Sequence, residues 1–246
     1  MSKQVKGKKI IAVLPAYNAE KTLKKTLDDL PTDWLDDIIL VDDASLDGTA
    51  ELAKNLGLKT FVHNKNSGYG ANQKTCYKKA LEYGADIVIM VHPDHQYDPK
   101  LIPELIQKFS EGKADAVFGS RMMIPKNAII GGMPYWKFMA NFVLTVIENF
   151  VLGLNLTEYH SGFRAYSKKT LELIPFTENS DNFVFDSEII VQMKKAGLKI
   201  QEIPIPTRYF PEASMIGFLK SSVYGLSILW VMLKFLFWKI KIIKIL

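Results

Sequence analysis

The chain has 246 residues, 48% of them hydrophobic and 23% charged, with a formal net charge of +5. This is the composition of a folded protein long enough to bury a full core, and it excludes a disordered or collagen-like chain. The positive excess is partly local, since Lys234, Lys239, Lys241 and Lys244 crowd the apolar C-terminus; that suits an anionic membrane surface and not nucleic acid, for which no compact Arg-rich patch is present.

Residues 9–14 are an apolar run that reads as a strand, followed by the turn Pro15-Ala16-Tyr17-Asn18 and an amphipathic helix over 20–30. A second strand over 38–41 ends in Asp42-Asp43, and the turn 44–49 leads into a helix over 50–56. A third strand over 59–62, the glycine-bearing loop 64–70 and a helix over 71–83 follow. The fourth strand, 87–91, runs into His92-Pro93-Asp94-His95-Gln96, then a helix over 99–110 and a fifth strand over 116–119. This rhythm predicts an α/β fold with a mainly parallel central sheet flanked by helices. The second half is less regular. It reads as a helix over 134–152 with a polar stripe at Lys137, Asn141 and Glu148, a strand over 161–167, a helix over 185–196, a strand over 199–204, the loop 207–214 and a last helix to about residue 244.

That last helix carries Lys220, Ser227, Lys234 and Lys241 at seven-residue intervals, one narrow polar stripe on an otherwise apolar surface. Its uncharged run 221–233 is shorter than the ~20 residues a span requires. A helix lying in the membrane interface is expected, with Trp230 and Trp238 at headgroup level; a tilted span or a homodimer contact is the alternative. Cys76 is the single cysteine, so no intrachain disulfide can form and a reducing compartment is expected. Residues 1–9 are polar and do not read as a secretory signal.

Three strand ends carry polar clusters on what would be one sheet edge, where open α/β sheets bind ligands. Each alone is an ordinary loop; together they favour one anionic ligand. If residues 92–96 stay extended, His92, Asp94 and Gln96 point to one side. An imidazole, a carboxylate and an amide oxygen would hold a divalent cation with positions open for phosphate oxygens. Asp43 is a candidate for a ribose or base edge, and Tyr17 for packing on the base. Arg121 and Arg208 are candidate phosphate clamps, or surface ion pairs. Asp186 and Glu188 open a helix, where they either complement its dipole or act as general base for an acceptor hydroxyl. Asn66 to Gly70 holds part of a dinucleotide fingerprint, but it follows the third strand and Gln73 stands where the last glycine belongs, which argues against a dehydrogenase. A hydrolytic zinc site would need a third ligand, and His63 and His160 are distant in sequence.

Taken in order, VLPAYNAEKTL (13–23), ILVDDASLDGT (39–49), HNKNSGYGANQKTCYKKAL (63–81), DIVIMVHPDHQYDP (86–99), GSR (119–121), HSGFRAYS (160–167) and RYFPEAS (208–214) resemble the glycosyltransferase family 2 enzymes of GT-A fold. The resemblance points to the branch of dolichyl-phosphate mannose synthase and bacterial polyprenyl-phosphate glycosyltransferases. It implies a GT-A domain over 1–215, with a nucleotide-sugar-binding half over about 8–122 and an acceptor half over about 123–215, and a membrane-associating helix over 216–246. It implies that Pro15, Tyr17, Val41, Asp43 and Pro93 hold the nucleotide-sugar, and that Asp94 and Gln96, with His92, hold the diphosphate and a Mn²⁺ or Mg²⁺ ion. Arg121 and Arg208 would hold phosphates, and Ser161, Arg208 and Ser214 would line the acceptor site. The implied reaction is inverting transfer to a lipid-phosphate or glycan acceptor at the cytosolic membrane face. Three residues depart from the pattern: His92 stands where the family has Asp, Ala19 where a Glu is common, and Met215 where a Lys is usual. A nucleotide-sugar-binding or membrane scaffold protein whose chemistry was lost through His92 is the alternative, and a nucleotidyltransferase shares the same sheet logic.

Overall fold

The computed structural model of the chain describes residues 7–209 and 217–243, with backbone alone at 218 and 241–243. Strand β1 (Ile10–Ala16) is buried along its whole length. Its residues alternate between two cores. Ile11 and Val13 join Ile39, Val41, Val88 and Met90 on one side; Ile10, Ala12 and Leu14 join Leu40, Ile87 and Ile89 on the other. A strand that is apolar on both alternating faces must be covered by helices on both.

Six further strands complete the sheet: β2 (Asp37–Asp42), β3 (Lys59–Val62), β4 (Ile87–Met90), β5 (Ala116–Ser120), β6 (Arg164–Ser167) and β7 (Ile200–Pro204), in the order β3-β2-β1-β4-β6-β5-β7. The first four in that order are parallel, as are β5 and β7. Strand β6 runs antiparallel to both its neighbours. The C-terminal ends of β1, β2, β4, β5 and β7 therefore share one sheet edge, and β6 brings its N-terminal end there. Pairing in β6 begins at Arg164, so residues 161–163, expected within the strand, are instead the loop that enters this edge.

Helices α1 (Glu20–Asp28) and α4 (Ile102–Ser110) cover one face through Leu23, Ile102, Leu105 and Ile106. Helix α2 (Thr49–Asn55) lies beside α1. Helices α3 (Tyr69–Glu82) and α8 (Phe185–Lys195) cover the other face through Cys76, Tyr77, Ala80, Phe185, Ile189 and Met193. Two short helices, α5 (Pro125–Ile130) and α7 (Lys168–Leu173), were not expected from periodicity, which six residues are too few to display.

Helix α6 (Tyr135–Leu152) packs beside α9 (Phe218–Ile243). The expected domain boundary at residue 215 falls outside the described residues; beyond it, Ile228, Val231, Met232 and Phe235 of α9 belong to the same core as α3 and α8. The buried side of α6 holds Asn141, Thr145 and Glu148, so this helix turns its polar stripe inward.

Among the described residues, the non-glycine positions with positive φ are Asn18 at 51°, Ala44 at 58° and His95 at 57°. Each follows the end of a parallel strand at the ligand edge. Left-handed backbone at non-glycine residues costs of order 1–2 kcal/mol and gathers at functional sites.

Candidate active site

A cleft of about 620 Å³ opens along this edge, a size that suits a small-molecule ligand. Pro15 and Tyr17 from the end of β1, Asp43 from the end of β2, and His92, Pro93, Asp94 and Gln96 after β4 all line it. Tyr17 is half exposed at the rim, free to pack on a planar ligand. Asn72 ties two of these strand ends together, its Nδ2 donating to the carbonyls of Ala16 and Val41 at 3.3 and 3.1 Å. Val41, expected to touch nucleotide, has its side chain in the core instead. The Asp43 carboxylate accepts the backbone N–H groups of Ser67 and Gly68 at 2.8 and 2.9 Å and meets His63 Nδ1 at 2.7 Å. It shapes the loop before α3 as well as facing the cleft.

Residues 93–95 form a turn, with His95 left-handed, so the segment after β4 is not extended as expected. The turn still leaves His92, Asp94 and Gln96 facing the cleft. Asp94 Oδ1 accepts the Gln96 N–H at 3.0 Å, which closes the turn. The His92 ring stacks on Tyr69 with centroids 5.6 Å apart and planes 5° from parallel. Its Nε2 lies 3.4 Å from the Tyr69 hydroxyl, which donates to Asp186 Oδ2 at 2.8 Å. Gly162 lies directly against the Nε2–Cδ2 edge of the ring: a Cβ there would stand 2.5 Å from His92 Nε2 and 3.5 Å from the Tyr69 hydroxyl. Burial holds the His92 imidazole below its ordinary value of 6.5 against the pull of Asp94 and Asp186, so the ring is neutral at pH 7.

Among the described residues, no group of three or more His, Cys, Asp or Glu converges as a metal cage. The donors present, one carboxylate and one amide oxygen beside a neutral imidazole, fit a Mg²⁺-type ion that takes most of its ligands from phosphate and water.

Arg121, buried just beyond the end of β5, also lines the cleft. Its Nε donates to Glu158 Oε1 at 2.8 Å and its backbone N–H to Oε2 at 2.7 Å; Nη2 also reaches Glu158, and Nη1 the Tyr209 hydroxyl at 3.1 Å. Asn141 Nδ2 donates to the same Glu158 oxygen at 2.7 Å, which is why α6 buries its polar stripe. Burial would raise the Glu158 carboxyl, but the Arg121 charge and these hydrogen bonds hold it below the ordinary value. Lys137 faces the cleft from α6. Burial and the nearby Arg121 lower its ammonium below the usual lysine range.

Asp186 lines the cleft, but Glu188 does not. Glu188 accepts the Ser180 N–H at 2.6 Å and pairs with Lys234 of α9 at 3.6 Å, because two residues on a helix turn it to a different face. Asp186 is heavily engaged, accepting from Tyr69 and from Gln73 Nε2 at 3.4 Å, with Arg164 Nη1 3.4 Å away. Arg208 lies outside the cleft lining; its Nη2 donates to Asp98 at 2.9 Å and its Nη1 lies 3.2 Å from His95 Nδ1. The bridge between Tyr97 and Thr207 sets that course, and brings the neighbouring Tyr209 onto Arg121. Ser161 is buried with its Oγ accepting the Phe163 N–H at 3.3 Å; its neighbours His160 and Gly162 face the cleft. Ser214 lies outside the described residues.

Sequence reasoning did not single out Tyr69, Glu158 or Arg164. Arg164 is fully buried and holds the loop before β6 through Ser161 O at 2.7 Å and Tyr159 O at 2.6 Å. A charged residue between Phe163 and Ala165 in a segment read as a strand was the available signal.

The profile of glycosyl transferase family 2 matches residues 11–174. The chain is 33% identical over 219 residues to the UDP-N-acetylglucosamine–dolichyl-phosphate N-acetylglucosaminyltransferase of Methanococcus voltae, covering 82% of this chain and 86% of that one. It is 28% identical over 221 residues to the undecaprenyl-phosphate mannosyltransferase of Micrococcus luteus, covering 85% and 88%. Its fold is similar to that of glucosyl-3-phosphoglycerate synthase from Mycobacterium tuberculosis, with a TM-score of 0.71 at 19% identity over 93% of this chain and 80% of that one. The same enzyme bound to Mn²⁺, uridine diphosphate and glucosyl-3-phosphoglycerate superposes with a TM-score of 0.68 at 16% identity, again over 93% and 80%. With its seven-stranded sheet and the cleft at the strand ends, the chain belongs to glycosyl transferase family 2 and is a glycosyltransferase of GT-A fold.

Proposed function

We propose that this enzyme transfers a sugar from a nucleotide-diphospho-sugar to the phosphate of a polyprenol-type lipid at the cytosolic face of a membrane, with inversion at the anomeric carbon. The observation that carries the choice of acceptor is the state of the carboxylates. Among the described residues three carboxylates line the cleft: Asp43 and Asp186 are each held by several donors, and Asp94 stands at the turn expected to face the diphosphate. Glu188 lies elsewhere. A sugar hydroxyl would need a base to take its proton. A lipid phosphate is already anionic at pH 7 and needs none. Cations suit it: Lys137 and Lys220 line the same cleft. The two curated relatives named above act, by their names, on dolichyl phosphate and undecaprenyl phosphate.

In this reading Tyr17 packs on the base, and Asp43 holds the loop that frames the nucleotide. Asp94 and Gln96 would hold a divalent cation, Mn²⁺ or Mg²⁺, whose charge would offset that of the departing diphosphate. Arg121 is kept charged and oriented by Glu158, so its field is in place before the leaving group develops charge. An acceptor phosphate oxygen attacks the anomeric carbon from the face opposite the diphosphate. The C–O bond to the leaving phosphate breaks, and a nucleoside diphosphate departs. Asp186, Tyr69 and Arg164 keep the wall beside the sugar rigid.

The test is transfer from a panel of radiolabelled nucleotide-sugars to polyprenyl phosphate, to free polyprenol and to soluble glycans, each with Mn²⁺ or Mg²⁺ and with chelator. Label on polyprenyl phosphate alone, lost on chelation, is the expected result. Label on a hydroxyl acceptor, abolished by Asp186→Asn, would overturn the choice of acceptor.

A further inference from the structure

The Arg121–Glu158 pair accounts for Asn141 on the buried side of α6, and Thr145 donates to Asn141 Oδ1 at 3.3 Å. Neither accounts for Glu148, which is fully buried, a costly place for a carboxylate without partners. Its Oε1 accepts the Ser187 hydroxyl at 3.3 Å, and its Oε2 lies 3.2 Å from His160 Nε2. The other ring nitrogen, Nδ1, lies 3.2 Å from the Tyr224 hydroxyl. Carboxylate, imidazole and phenol thus form a relay from α6, through the loop before β6, to α9. His160 and Tyr224 line the cleft.

The relay sets the polarity of the Tyr224 oxygen. A carboxylate only accepts, so the ring proton belongs on Nε2 and Nδ1 offers its lone pair. Glu148 Oε2 and His160 Nε2 face each other out of line for a full hydrogen bond, and neither has another hydrogen-bond partner among the described residues; a small turn of the ring completes the bond. Burial pushes the Tyr224 phenol well above its ordinary value of 10, so it stays protonated and donates to Nδ1. Its oxygen then faces the cleft with lone pairs alone. Such an oxygen repels a phosphate and accepts from a hydroxyl or an amide N–H. The surroundings suit a sugar. Phe183, also in the cleft lining, meets the Tyr224 ring with centroids 6.5 Å apart and the Tyr69 ring at 4.7 Å. A pyranose is apolar on its faces and polar at its rim, which aromatic surface with one oriented oxygen matches. We propose that Tyr224, oriented by His160 and Glu148, reads the transferred sugar, its oxygen accepting from one sugar hydroxyl or acetamido N–H. Tyr224 determines specificity; His160 and Glu148 are positioning residues. This rests on the nucleotide-sugar donor and is independent of the acceptor.

The experiment is equilibrium binding to the full chain, by calorimetry with Mn²⁺ and no acceptor. The ligands are a panel of nucleotide-sugars, their nucleoside diphosphates, and the monodeoxy and des-acetamido analogues of the tightest binder. Tyr224→Phe removes a single oxygen. It should weaken the nucleotide-sugar by roughly 3- to 10-fold and leave its nucleoside diphosphate unchanged. One analogue should lose as much with the wild type and nothing further with Tyr224→Phe, because the two changes delete the same contact. Glu148→Gln, whose amide donates as well as accepts, frees the ring proton to change nitrogen and should lose part of the same preference for the sugar. Equal weakening of the nucleotide-sugar and the diphosphate by Tyr224→Phe, additive losses for every analogue, or an undiminished preference in Glu148→Gln would overturn the proposal. A wild type that binds nucleoside diphosphates but gains nothing from the sugar would overturn the subsite alone. One that binds neither would overturn the donor reading with it.

Discussion

Substituting Gly162 with alanine tests the geometry of the cleft most directly. The new Cβ would stand 2.5 Å from His92 Nε2 and 2.7 Å from His92 Cδ2, where ordinary contact begins near 3.4 Å. The ring must give way by about 1 Å, and it is stacked on Tyr69, which is itself tied to Asp186. A displacement of that size in a reacting site costs on the order of 100-fold in rate. Overpacking at a tight site costs about 1–3 kcal/mol, a few degrees in melting temperature for a protein of this length. Gly162→Ala should therefore remain folded while kcat/KM for sugar transfer falls about 100-fold. The control is the His92→Ala background, in which the methyl group has room. There the same substitution should cost little further activity, because contacting residues are not additive. Wild-type turnover by Gly162→Ala, or an equal loss with and without His92, would refute the reasoning.

Glu158→Gln leaves Arg121 buried without its counter-charge, and should destabilise the protein by about 3–5 kcal/mol in denaturant unfolding. The Glu158 carboxyl is held below 4.5 in the folded state, so its contribution is complete above that pH and is lost as pH falls through the folded value; the acid-unfolding curve of Glu158→Gln should lack that component. Ala44 sits at φ 58°, and Ala44→Gly should raise stability by up to about 1 kcal/mol, read from the urea midpoint at unchanged slope. Glu188→Gln should leave kcat within about twofold, since the side chain faces α9 and the Ser180 N–H; Asp186→Ala should lower kcat by about 10-fold or more through loss of the wall beside His92, whereas Asp186→Asn, which can still accept from Tyr69, should retain more activity than Asp186→Ala.

The sequence by itself determined the sheet edge and much of what lies on it. Period-two and continuous apolar runs specify the strands, and the polar residues after 14, 41 and 91 must then gather at the C-terminal ends of parallel strands, because the crossovers leave them nowhere else. Pro15, Tyr17, Asp43, His92, Asp94 and Gln96 all face the cleft for this reason, and Arg121, just past the end of the fifth strand, joins them. Tertiary structure decided what depends on partners distant in sequence. Pairing of the last strands turned β6 antiparallel and delivered Gly162 to His92. The course of residues 205–209 put Arg208 on Asp98 and gave Tyr209 to Arg121. Two residues of separation on α8 sent Asp186 into the cleft and Glu188 away from it. Periodicity revealed the polar stripe of α6 but not its direction, since a stripe faces inward only when something buried needs it. Here the buried Arg121–Glu158 pair needs Asn141, and the apolar side of the helix is left to the outside.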